Sequence, residues 1–493
     1  MVIPGFVIDI LIVLAVLLLF LVAFVLLRTL TFARRIEPVE AVDLPAIDRD
    51  AAAEHLAEVV RHRTVSYENK AEVDFSTFEA LHQTLLKNYP LVHERLELQK
   101  FNRYSLLYTW KGKHPELPAL VFMAHQDVVP ADPAQWEHPP FDGVIVDGFV
   151  WGRGTLDNKN QMIGVLEAVE YLLKQDYQPD RTIYLAFGHS EEVGGLEGAE
   201  TMAAWLQEQG VQIKAVLDEG GSMVRGTLPG VDVPFALVGV AEKGYLTLEM
   251  KTNAAGGHSS APPPQTAIGI LARGLARLEA YQLPAHIEYI LPMMKAVGSA
   301  LPFTLQMAFA NLWLFRKKVL QKLSANPMTN AAIRTTTAIT VISGGMKENV
   351  LPQQARSLVN FRLLPADTIA NVCLHARAVM DDDRIEFEPR GEAAWEASPI
   401  SATDSPAFVS LERTICQVFG MVPIAPYLVM GATDARYYSR FCPNVYRFTP
   451  GIATAEDIKR VHGNNERISL ENLEKMIQFF IQLMRVWGQV DTD

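Results

Sequence analysis

Cysteine is scarce in this chain. Only three cysteines occur among its 493 residues, at positions 373, 416 and 442, and none forms a CxxC pair. A disulfide framework needs an even set of cysteines, and a cysteine zinc site needs closely spaced thiolates. We therefore expect neither a disulfide scaffold nor cysteine ligands to a metal.

Basic residues are in deficit. The chain has 44 Lys and Arg against 56 Asp and Glu, a net charge of −12. Nucleic-acid-binding proteins present a basic surface, so nucleic acid is not expected as a partner. Internal repeats and low-complexity tracts are also lacking. The length allows two domains and an appendage, and 49% of the residues are hydrophobic, as in a globular protein with an apolar segment attached.

The appendage lies at the N-terminus. An uninterrupted apolar run occupies Ile10–Leu27, and it extends back to Phe6 across Asp9. About 20 apolar residues span a bilayer as a helix. We expect one transmembrane helix over residues 6–27 and a polar linker over residues 28–49. The alternative, a cleaved signal peptide, would need a basic start, a shorter apolar core and a small-residue cleavage site.

Charge around the apolar run predicts its orientation. Arg28, Arg34 and Arg35 follow the run, and no lysine or arginine precedes it. Basic residues next to a membrane span stay on the cytoplasmic side. We therefore expect a single-pass protein that contacts the lipid bilayer and has its catalytic domain in the cytoplasm.

Four apolar runs or loops end in clusters of charge. Buried charges at strand ends are costly unless they are paired or bind a metal. The clusters therefore predict a metal site. Their charged residues are His125 and Asp127, Asp157, Glu191 and Glu192, and Asp218 and Glu219.

The spacing of the clusters indicates the fold. About thirty residues separate His125 from Asp157, and a similar number separates Asp157 from Glu192, which is the length of a strand–helix–strand crossover. Ligands of doubly wound sheets bind at the carboxyl ends of the strands, where all four clusters are expected. We predict a doubly wound α/β catalytic domain over residues 50–243 and 392–493.

A smaller domain is predicted to interrupt the catalytic domain. Its elements follow in the order strand, helix, strand, strand, helix, strand, at residues 245–252, 266–281, 338–343, 357–364, 368–380 and 384–388. This βαββαβ order is that of a ferredoxin-like α+β layer. We expect an inserted ferredoxin-like lid domain over residues 244–391.

Residues 282–334 are an apolar insertion that this order does not need. They include Phe303, Phe309 and Trp313, and the basic run that begins at Arg316 follows these aromatic residues. The composition suits an interfacial helix beside a membrane, the wall of an apolar pocket, or a helix buried against the small domain. Our hypothesis is that the insertion receives a long acyl chain of the substrate.

Taken in order, the motifs resemble the M20 family of di-metal peptidases and amidohydrolases. The resemblance runs from about residue 50 to the C-terminus and is most similar to the branch of carboxypeptidase S and the N-fatty-acyl-amino-acid synthase/hydrolases. One HxD or EE motif would carry little weight, whereas six in register are specific. They are His125-x-Asp127, Asp157-Asn158, Glu191-Glu192, Asp218, Gly257-His258-Ser and His462-Gly.

The resemblance implies two Zn²⁺ ions, with Co²⁺ or Mn²⁺ as alternatives. A bridged pair needs one shared carboxylate, and each ion needs one histidine and one further carboxylate. By resemblance Asp157 bridges the ions. His125 and Asp218 complete one site, and Glu192 and His462 complete the other. Glu219 is expected to be solvated or to support the ligands.

The same resemblance assigns catalytic roles. Asp127 orients the ring of His125. Glu191 takes a proton from water and passes it to the leaving nitrogen. The peptide bond from Asp157 to Asn158 is expected to be cis.

Four further residues are expected to handle the substrate. By resemblance, His258 stabilises the tetrahedral oxyanion, in some members across a dimer interface, so a homodimer is one expected arrangement. Arg362 grips the substrate carboxylate through two parallel hydrogen bonds, and the alternative is an ordinary surface ion pair. Asn349 and Gly431 fall in substrate-side loops.

The sequence therefore predicts a membrane-anchored di-zinc hydrolase that cleaves an amide bond next to a free amino-acid carboxylate. The substrate is an N-acyl amino acid or a dipeptide, and the reaction can also run towards synthesis. The alternative is a catalytically silent membrane protein that binds metal or peptide. Glu191 favours the enzyme, because a silent relative has no use for a base beside a ligand.

Overall fold

The computed structural model describes residues 5–228, 230–390 and 394–490. The predicted domain boundary at residues 391 and 392 lies outside these ranges. The helices are α1 (Gly5–Leu30), α2 (Arg49–Val60), α3 (Ser76–Asn88), α4 (Pro90–Arg95), α5 (Lys159–Lys174), α6 (Thr201–Glu208), α7 (Ala267–Ala280), α8 (Leu291–Ala296), α9 (Phe303–Ala310), α10 (Leu312–Ser324), α11 (Pro327–Ile333), α12 (Ile369–Met380), α13 (Pro406–Phe419), α14 (Ala435–Tyr438), α15 (Ala455–Arg460) and α16 (Leu470–Gly488).

The strands are β1 (Glu97–Phe101), β2 (Ser105–Trp110), β3 (Ala119–His125), β4 (Val144–Val146), β5 (Phe149–Trp151), β6 (Ile183–Gly188), β7 (Ile213–Arg225), β8 (Phe235–Glu242), β9 (Gly244–Asn253), β10 (Gly257–His258), β11 (Thr336–Gly344), β12 (Val350–Leu351), β13 (Gln354–Leu363), β14 (Ile385–Pro389), β15 (Ile424–Val429), β16 (Val445–Thr454) and β17 (Arg467–Ser469).

A large mixed sheet has the strand order β1-β2-β6-β3-β7-β16-β8-β15. The four central strands β6, β3, β7 and β16 are parallel, as the crossover spacing predicted. The edges differ, because β2 is antiparallel to β6 and β8 is antiparallel to β16. The tight turn between β1 and β2 contains Asn102 and Arg103 with positive φ, and such hairpin connections produce antiparallel pairs.

Helices cover both faces of the large sheet. Side chains alternate along a strand, so Leu120 and Phe122 of β3 point to one face, whereas Val121 and Met123 point to the other. The first face packs against α2, α5, α13 and α16, and the second packs against α6 and α14. The fold is therefore α/β with helices on both faces, and the carboxyl ends of β3 and β6 lie at one edge, beside the middle of the longer strand β7.

A second sheet is four-stranded and antiparallel, with the order β11-β13-β9-β14. Helices α7 and α12 cover one face of it and share an apolar core with β9. Thr266 and Thr368 cap these helices, each accepting a hydrogen bond from an amide of the first turn. The chain visits the elements in the order β9, α7, β11, β13, α12, β14, which is the βαββαβ order expected from the sequence.

Two paired chain segments join the sheets. Tyr245 and Trp395 exchange backbone hydrogen bonds of 2.9 Å in both directions, and their rings stack with centroids 4.9 Å apart. A Cβ on Gly244 would lie 2.5 Å from the amide nitrogen of Ala397. Because the approach is so close, only glycine fits there, and the small sheet is attached through a narrow strip of backbone.

The insertion forms α8 to α11. Its buried side chains Ile287, Met294 and Phe309 pack against Val224 of β7 and Phe235 of β8. The insertion therefore packs partly as core against the outer part of the large sheet, while its Leu283 joins the core of the small domain. Phe303 and Trp313 remain 49% and 54% exposed.

The insertion also holds the end of α1. Asn311 Nδ2 donates to Thr29 Oγ1 at 3.2 Å and to the Val25 carbonyl oxygen at 3.3 Å. The Trp313 ring lies 6.2 Å from the Phe24 ring. By length and composition α1 can cross a membrane, and a signal sequence would pass the same test.

Candidate metal centre

Asp157 lies between two histidines. Its Oδ1 is 3.0 Å from His125 Nε2, and its Oδ2 is 3.0 Å from His462 Nε2. His125 ends β3, Asp157 precedes α5, and His462 follows α15. The peptide bond from Asp157 to Asn158 is cis, which confirms that expectation. One carboxylate therefore contacts the two predicted histidine ligands, one with each oxygen.

Three glutamates surround this arrangement. Glu192 Oε2 lies 3.1 Å from the ring of the second histidine, and Glu219 Oε1 lies 3.2 Å from the ring of the first. The ligand atoms of His125, Asp157 and Glu192 all lie within 4.8 Å of one another. Those of His125, Glu191 and Glu219 do so as well. Side chains from distant parts of the chain thus converge at the edge where the parallel strands end.

Asp218, the predicted ligand, has a backbone partner. Its Oδ2 accepts a hydrogen bond of 2.8 Å from the amide of Ala435, at the start of α14. Glu219, which was expected to be solvated or to support the ligands, lies 3.2 Å from His125 Nε2 and accepts a hydrogen bond from Asn158 Nδ2. Successive side chains on a strand point to opposite faces. The structure thus brings Glu219 into contact with His125 and gives an oxygen of Asp218 a backbone partner at α14.

Asp127 shapes the loop as well as the histidine. Its carbonyl oxygen lies 2.9 Å from His125 Nδ1, closer than its carboxylate at 3.6 Å. The carboxylate accepts hydrogen bonds of 3.1 Å from the amides of Glu191 and Glu192 and one of 2.7 Å from Ser66 Oγ. Asp127 therefore sets the position of both glutamates, a role that the sequence did not indicate.

Glu466 holds the loop that carries Asp157. Its Oε1 accepts hydrogen bonds from the amides of Gly154, Leu156 and Asp157, at 3.1, 2.6 and 3.1 Å. Its Oε2 pairs with Arg153 at 2.6 Å, and both side chains are buried. Sequence reasoning missed this residue, because nothing in its context distinguishes it from a surface glutamate.

The residues fit a pair of divalent cations. Burial raises the pKa of Glu191 well above its usual range and that of Glu219 to about 8, and neighbouring carboxylates add to both shifts. Glu192 Oε1 is buried without a hydrogen-bond partner. Carboxylate oxygens and imidazole nitrogens are ligands that zinc, cobalt and manganese accept. Cations would offset the excess of negative charge and bind the unpaired oxygen.

A stack of rings and guanidinium groups connects the small sheet to the glutamate loop. The Arg362 guanidinium lies 4.6 Å from the Tyr245 ring, which stacks on Trp395. Arg436 lies 4.5 Å from the Trp395 ring and donates to the Gly194 carbonyl oxygen. The position of Arg362 is thereby linked to the loop that follows the two glutamates.

Arg362 lies beside a second cation. Burial lowers the pKa of Arg362, and burial together with Arg362 lowers the pKa of Lys243 to about 8. In the described ranges, no carboxylate forms an ion pair with Arg362. Within those ranges Arg362 therefore has no ion-pair partner, and Lys243 Nζ donates to the carbonyl oxygens of Ala331 and Arg334 at 2.7 Å.

Three predicted substrate residues lie apart from the carboxylate group, with no contact to it among the residues described. His258 is exposed, and its Nδ1 lies 2.7 Å from Ser260 Oγ. Asn349 is also exposed, and its carbonyl oxygen accepts a hydrogen bond from the Ser259 amide at 3.2 Å. Gly431 is exposed between β15 and α14, with open space where a Cβ would stand.

Comparison with known proteins decides the family. The family model of peptidase family M20/M25/M40 matches residues 121–486. This chain belongs to the M20 family. The M20 enzyme is 38% identical to the N-fatty-acyl-amino acid synthase/hydrolase PM20D1 of Xenopus tropicalis, over 96% of this chain and 93% of the relative. It is 35% identical to a probable carboxypeptidase S-like 2 of Dictyostelium discoideum, over 93% of this chain and 90% of the relative.

A solved structure gives the same fold. The M20 family metallo-carboxypeptidase Sso-CP2 of Sulfolobus solfataricus superposes with a TM-score of 0.65, covering 89% of this chain and 99% of its own, at 16% identity. At that identity the likeness shows the fold alone. The family match and the two relatives show that the M20 enzyme is a metal-dependent amidohydrolase, whose chemistry is the hydrolysis of amide bonds.

We expect Glu219→Gln, but not Asp218→Asn, to lower the metal content of the M20 enzyme. A carboxamide is a poor ligand for a divalent cation, whereas asparagine at 218 can still accept the hydrogen bond from Ala435. Elemental analysis of purified wild type should give about two equivalents per chain, the number that a bridged pair needs. Glu219→Gln should fall clearly below this value. If only Asp218→Asn lowered the metal content, Asp218 would be the ligand, as the sequence analysis predicted.

We expect Glu466→Ala to lower the free energy of unfolding of the metal-free protein by about 3–5 kcal/mol, because it leaves the buried charge of Arg153 unpaired. Glu456→Ala is the matched control, since Glu456 is 78% exposed and pairs with Arg460 at 3.7 Å. The control should change stability by less than about 1 kcal/mol. Denaturant unfolding followed by circular dichroism measures the free energy of unfolding of both variants. An equally small change in the two variants would contradict the structural role given to Glu466.

Proposed function

We propose that this M20 enzyme cleaves an amide bond next to a free amino-acid carboxylate, in N-acyl amino acids or dipeptides. The observation that carries the proposal is the place of Glu191, which shares one group with His125 and Glu219 and is followed by Glu192 at the other histidine. The printed names of the relatives, a synthase/hydrolase and a carboxypeptidase, support this substrate class. We also propose that this enzyme catalyses the reverse reaction, amide synthesis.

Glu191 moves the proton in the proposed reaction. Its carboxylate takes a proton from water while the water oxygen bonds to the carbonyl carbon. It then gives the proton to the nitrogen as the C–N bond breaks, which releases an acid and an amine. A pair of divalent ions, when bound, polarises the carbonyl and acidifies water. The Asp127 carboxylate keeps Glu191 in place by accepting a hydrogen bond from the Glu191 backbone amide.

The ions we propose are zinc, with cobalt or manganese as alternatives. Asp157 would bridge them, because each of its oxygens faces a different histidine. His125 and Glu219 would complete one site, and Glu192 and His462 the other. This ligand set differs from the sequence prediction only by Glu219 in place of Asp218.

We propose that Arg362 binds the substrate carboxylate. Its planar guanidinium can donate two parallel hydrogen bonds, and Lys243 adds positive charge nearby. The stack through Tyr245 and Trp395 supports Arg362 in this position. The small sheet would then act as a lid that holds one end of the substrate while the amide lies at the metal centre.

We propose that His258 and Asn349 of one copy act in the active site of a second copy of this chain. Both lie on the exposed arm formed by β10 and β12. In a homodimer, this arm would bring His258 to the partner's metal centre as the donor to the oxyanion. Gly431 remains our candidate for a substrate-side loop, because space is open around it.

We expect Glu191→Gln to abolish most turnover while both metals and the fold are retained. A carboxamide cannot accept the proton, and a general base contributes about 10²–10⁴-fold. Glu197→Gln is the matched control, because Glu197 follows in the same loop but pairs with Lys70 at the surface. Hydrolysis rates, elemental analysis and circular dichroism should separate the two variants. A rate within a few-fold of wild type for Glu191→Gln would remove it from the mechanism.

We further propose that α1 is retained as a membrane anchor with the enzyme body in the cytoplasm. A cleaved signal peptide has no lasting packing partner, whereas Thr29 is fully buried and Asn311 bonds to it and to Val25. The basic residues after the span support the orientation.

The expected outcome for the anchor is an intact N-terminus in the mature protein. Mass spectrometry of protein purified from membranes should recover peptides of residues 5–30, and alkaline carbonate should leave the enzyme in the pellet. Protease added outside sealed cells should not cut the body. Recovery of a soluble chain that begins after residue 30 would show that α1 is a signal peptide.

A further inference from the structure

Two adjoining cavities lie where the end of α1 meets the insertion of residues 282–334. The larger has a volume of about 680 Å³ and the smaller a volume of about 480 Å³. Together they form one groove along the last turns of α1, which we call the α1 groove. The residues that line both cavities are Arg28, Phe32, Leu291, Lys295 and Ala310.

The smaller cavity of the α1 groove is mainly apolar. Its wall also contains Phe24, Phe309, Leu312 and Trp313. The Trp313 side chain is 54% exposed, and its ring lies 6.2 Å from the Phe24 ring. Tryptophan is enriched at the interface between a membrane and water. This part of the groove therefore suits hydrocarbon chains.

Two basic side chains stand where the cavities meet, and the protein leaves their charge unpaired. Among the residues described, Lys295 Nζ has no hydrogen-bond or ion-pair partner. Arg28 Nε donates to the Ala310 carbonyl oxygen at 3.1 Å, and no carboxylate in the described part of the chain pairs with it. Arg34 lines the larger cavity too, but it is bound to Glu412 by hydrogen bonds of 2.7 and 2.9 Å. Arg28 and Lys295 are therefore free to bind an anion.

Two carboxylates, those of Glu288 and Asp404, also line the larger cavity. Glu288 pairs with Arg316 at 2.8 Å, so its charge is offset within the protein. Asp404 immediately precedes α13, and its oxygens can accept a hydrogen bond from a hydroxyl or an ammonium group. A ligand that combines a phosphate with such a donor would match both kinds of charge in this cavity.

The length of α1 places the groove at the level of lipid headgroups. The helix has 26 residues, which corresponds to about 39 Å, and the hydrocarbon core of a bilayer is about 30 Å thick. Arg28 is in the last turn of α1 and so falls at the edge of that core. The whole chain carries a net charge of −12, which an anionic surface repels. Attraction to an anionic lipid must therefore be local to the groove.

We propose that the α1 groove binds one anionic glycerophospholipid, with its phosphate at Arg28 and Lys295 and its acyl chains against Phe24 and Trp313. The proposal rests on the proposed retention of α1 as a membrane anchor. Basic pockets beside membrane helices bind anionic headgroups in this way. The lipid fills the space between α1 and the insertion, and it thereby fixes the enzyme body relative to the membrane.

The test uses the full chain in nanodiscs of constant composition, mostly phosphatidylcholine with a minor share of phosphatidylglycerol. Bromine atoms, which quench tryptophan fluorescence on contact, are placed on the acyl chains of the phosphatidylglycerol in one sample. In the other sample they are placed on an equal amount of phosphatidylcholine. Phosphatidylglycerol should be enriched at least about tenfold beside Trp313, since each basic residue near the surface adds about fivefold. Brominated phosphatidylglycerol should therefore quench more strongly, and Trp313→Phe should abolish the difference.

The double variant Arg28→Gln/Lys295→Gln should also abolish the difference. Lys317→Gln/Lys318→Gln is the matched control, because it removes the same charge from exposed residues of α10 that line neither cavity. The control should keep the difference. Circular dichroism and hydrolysis rates of both double variants should match those of wild type. If the loss of the bond from Arg28 to Ala310 disturbs the fold, Lys295→Gln alone should lower the enrichment about fivefold.

Three results would overturn the groove as a lipid site. They are equal quenching by both brominated lipids in wild type, a difference that persists in Trp313→Phe, and an equal loss in the two double variants, which would show diffuse surface charge only. Displacement by glycerol 3-phosphate would likewise overturn it, because the ligand would then be a soluble phosphate.

The groove and the anchor can fail separately. Intact mass spectrometry of the same sample shows whether α1 is present. A failure with α1 present concerns the groove alone, whereas a mature chain without α1 removes the anchor and the groove with it. The quenching needs no substrate, so its result is independent of the proposed amide hydrolysis.

Discussion

Negative charge concentrated at one edge of the large sheet is the constraint on which the rest of the molecule depends. Four largely buried carboxylates, those of Asp157, Glu191, Glu192 and Glu219, lie around two histidines. Repulsion between like charges is strong where the dielectric constant is low. Such a group needs cations to offset its charge and neighbours that hold each carboxylate in place. The M20 enzyme supplies those neighbours from several distant segments.

The neighbours act mainly through backbone amides. Asp127 positions the two glutamates through their amides, and Glu466 gathers three amides of the loop before α5. Asp218 fixes the start of α14 in the same way. A carboxylate that accepts several amide hydrogen bonds anchors a loop without adding a positive charge that would compete for the metal ligands. These anchors make the centre rigid before any substrate arrives.

Two apolar regions of the chain, the insertion and the cavity beside Asp157, have different surroundings. The insertion packs on the large sheet and holds the last turns of α1 through Asn311, so it joins the enzyme body to the apolar helix. The cavity beside Asp157 is instead lined by short segments around α15, whose apolar residues are too few and too scattered to be noticed in the sequence. Composition singled out the insertion and not this segment, because the residues that line the cavity come together only in the folded chain.

From the sequence alone, periodicity and the chain length between strands predicted the parallel central strands and the βαββαβ order, because these are local properties of the chain. The expected roles of His125, Asp157, Glu191 and His462 came from the family resemblance of the motifs, and the structure brings these four side chains together. Tertiary structure decided the contacts of the neighbouring Asp218 and Glu219, since packing places Glu219 beside His125 and an oxygen of Asp218 against the Ala435 amide. It also decided the role of Glu466, whose three amide partners lie more than 300 positions earlier in the chain. Such contacts, like the cavity around Ile458 and the antiparallel edges of the sheet, arise when distant segments meet, and no local pattern encodes them.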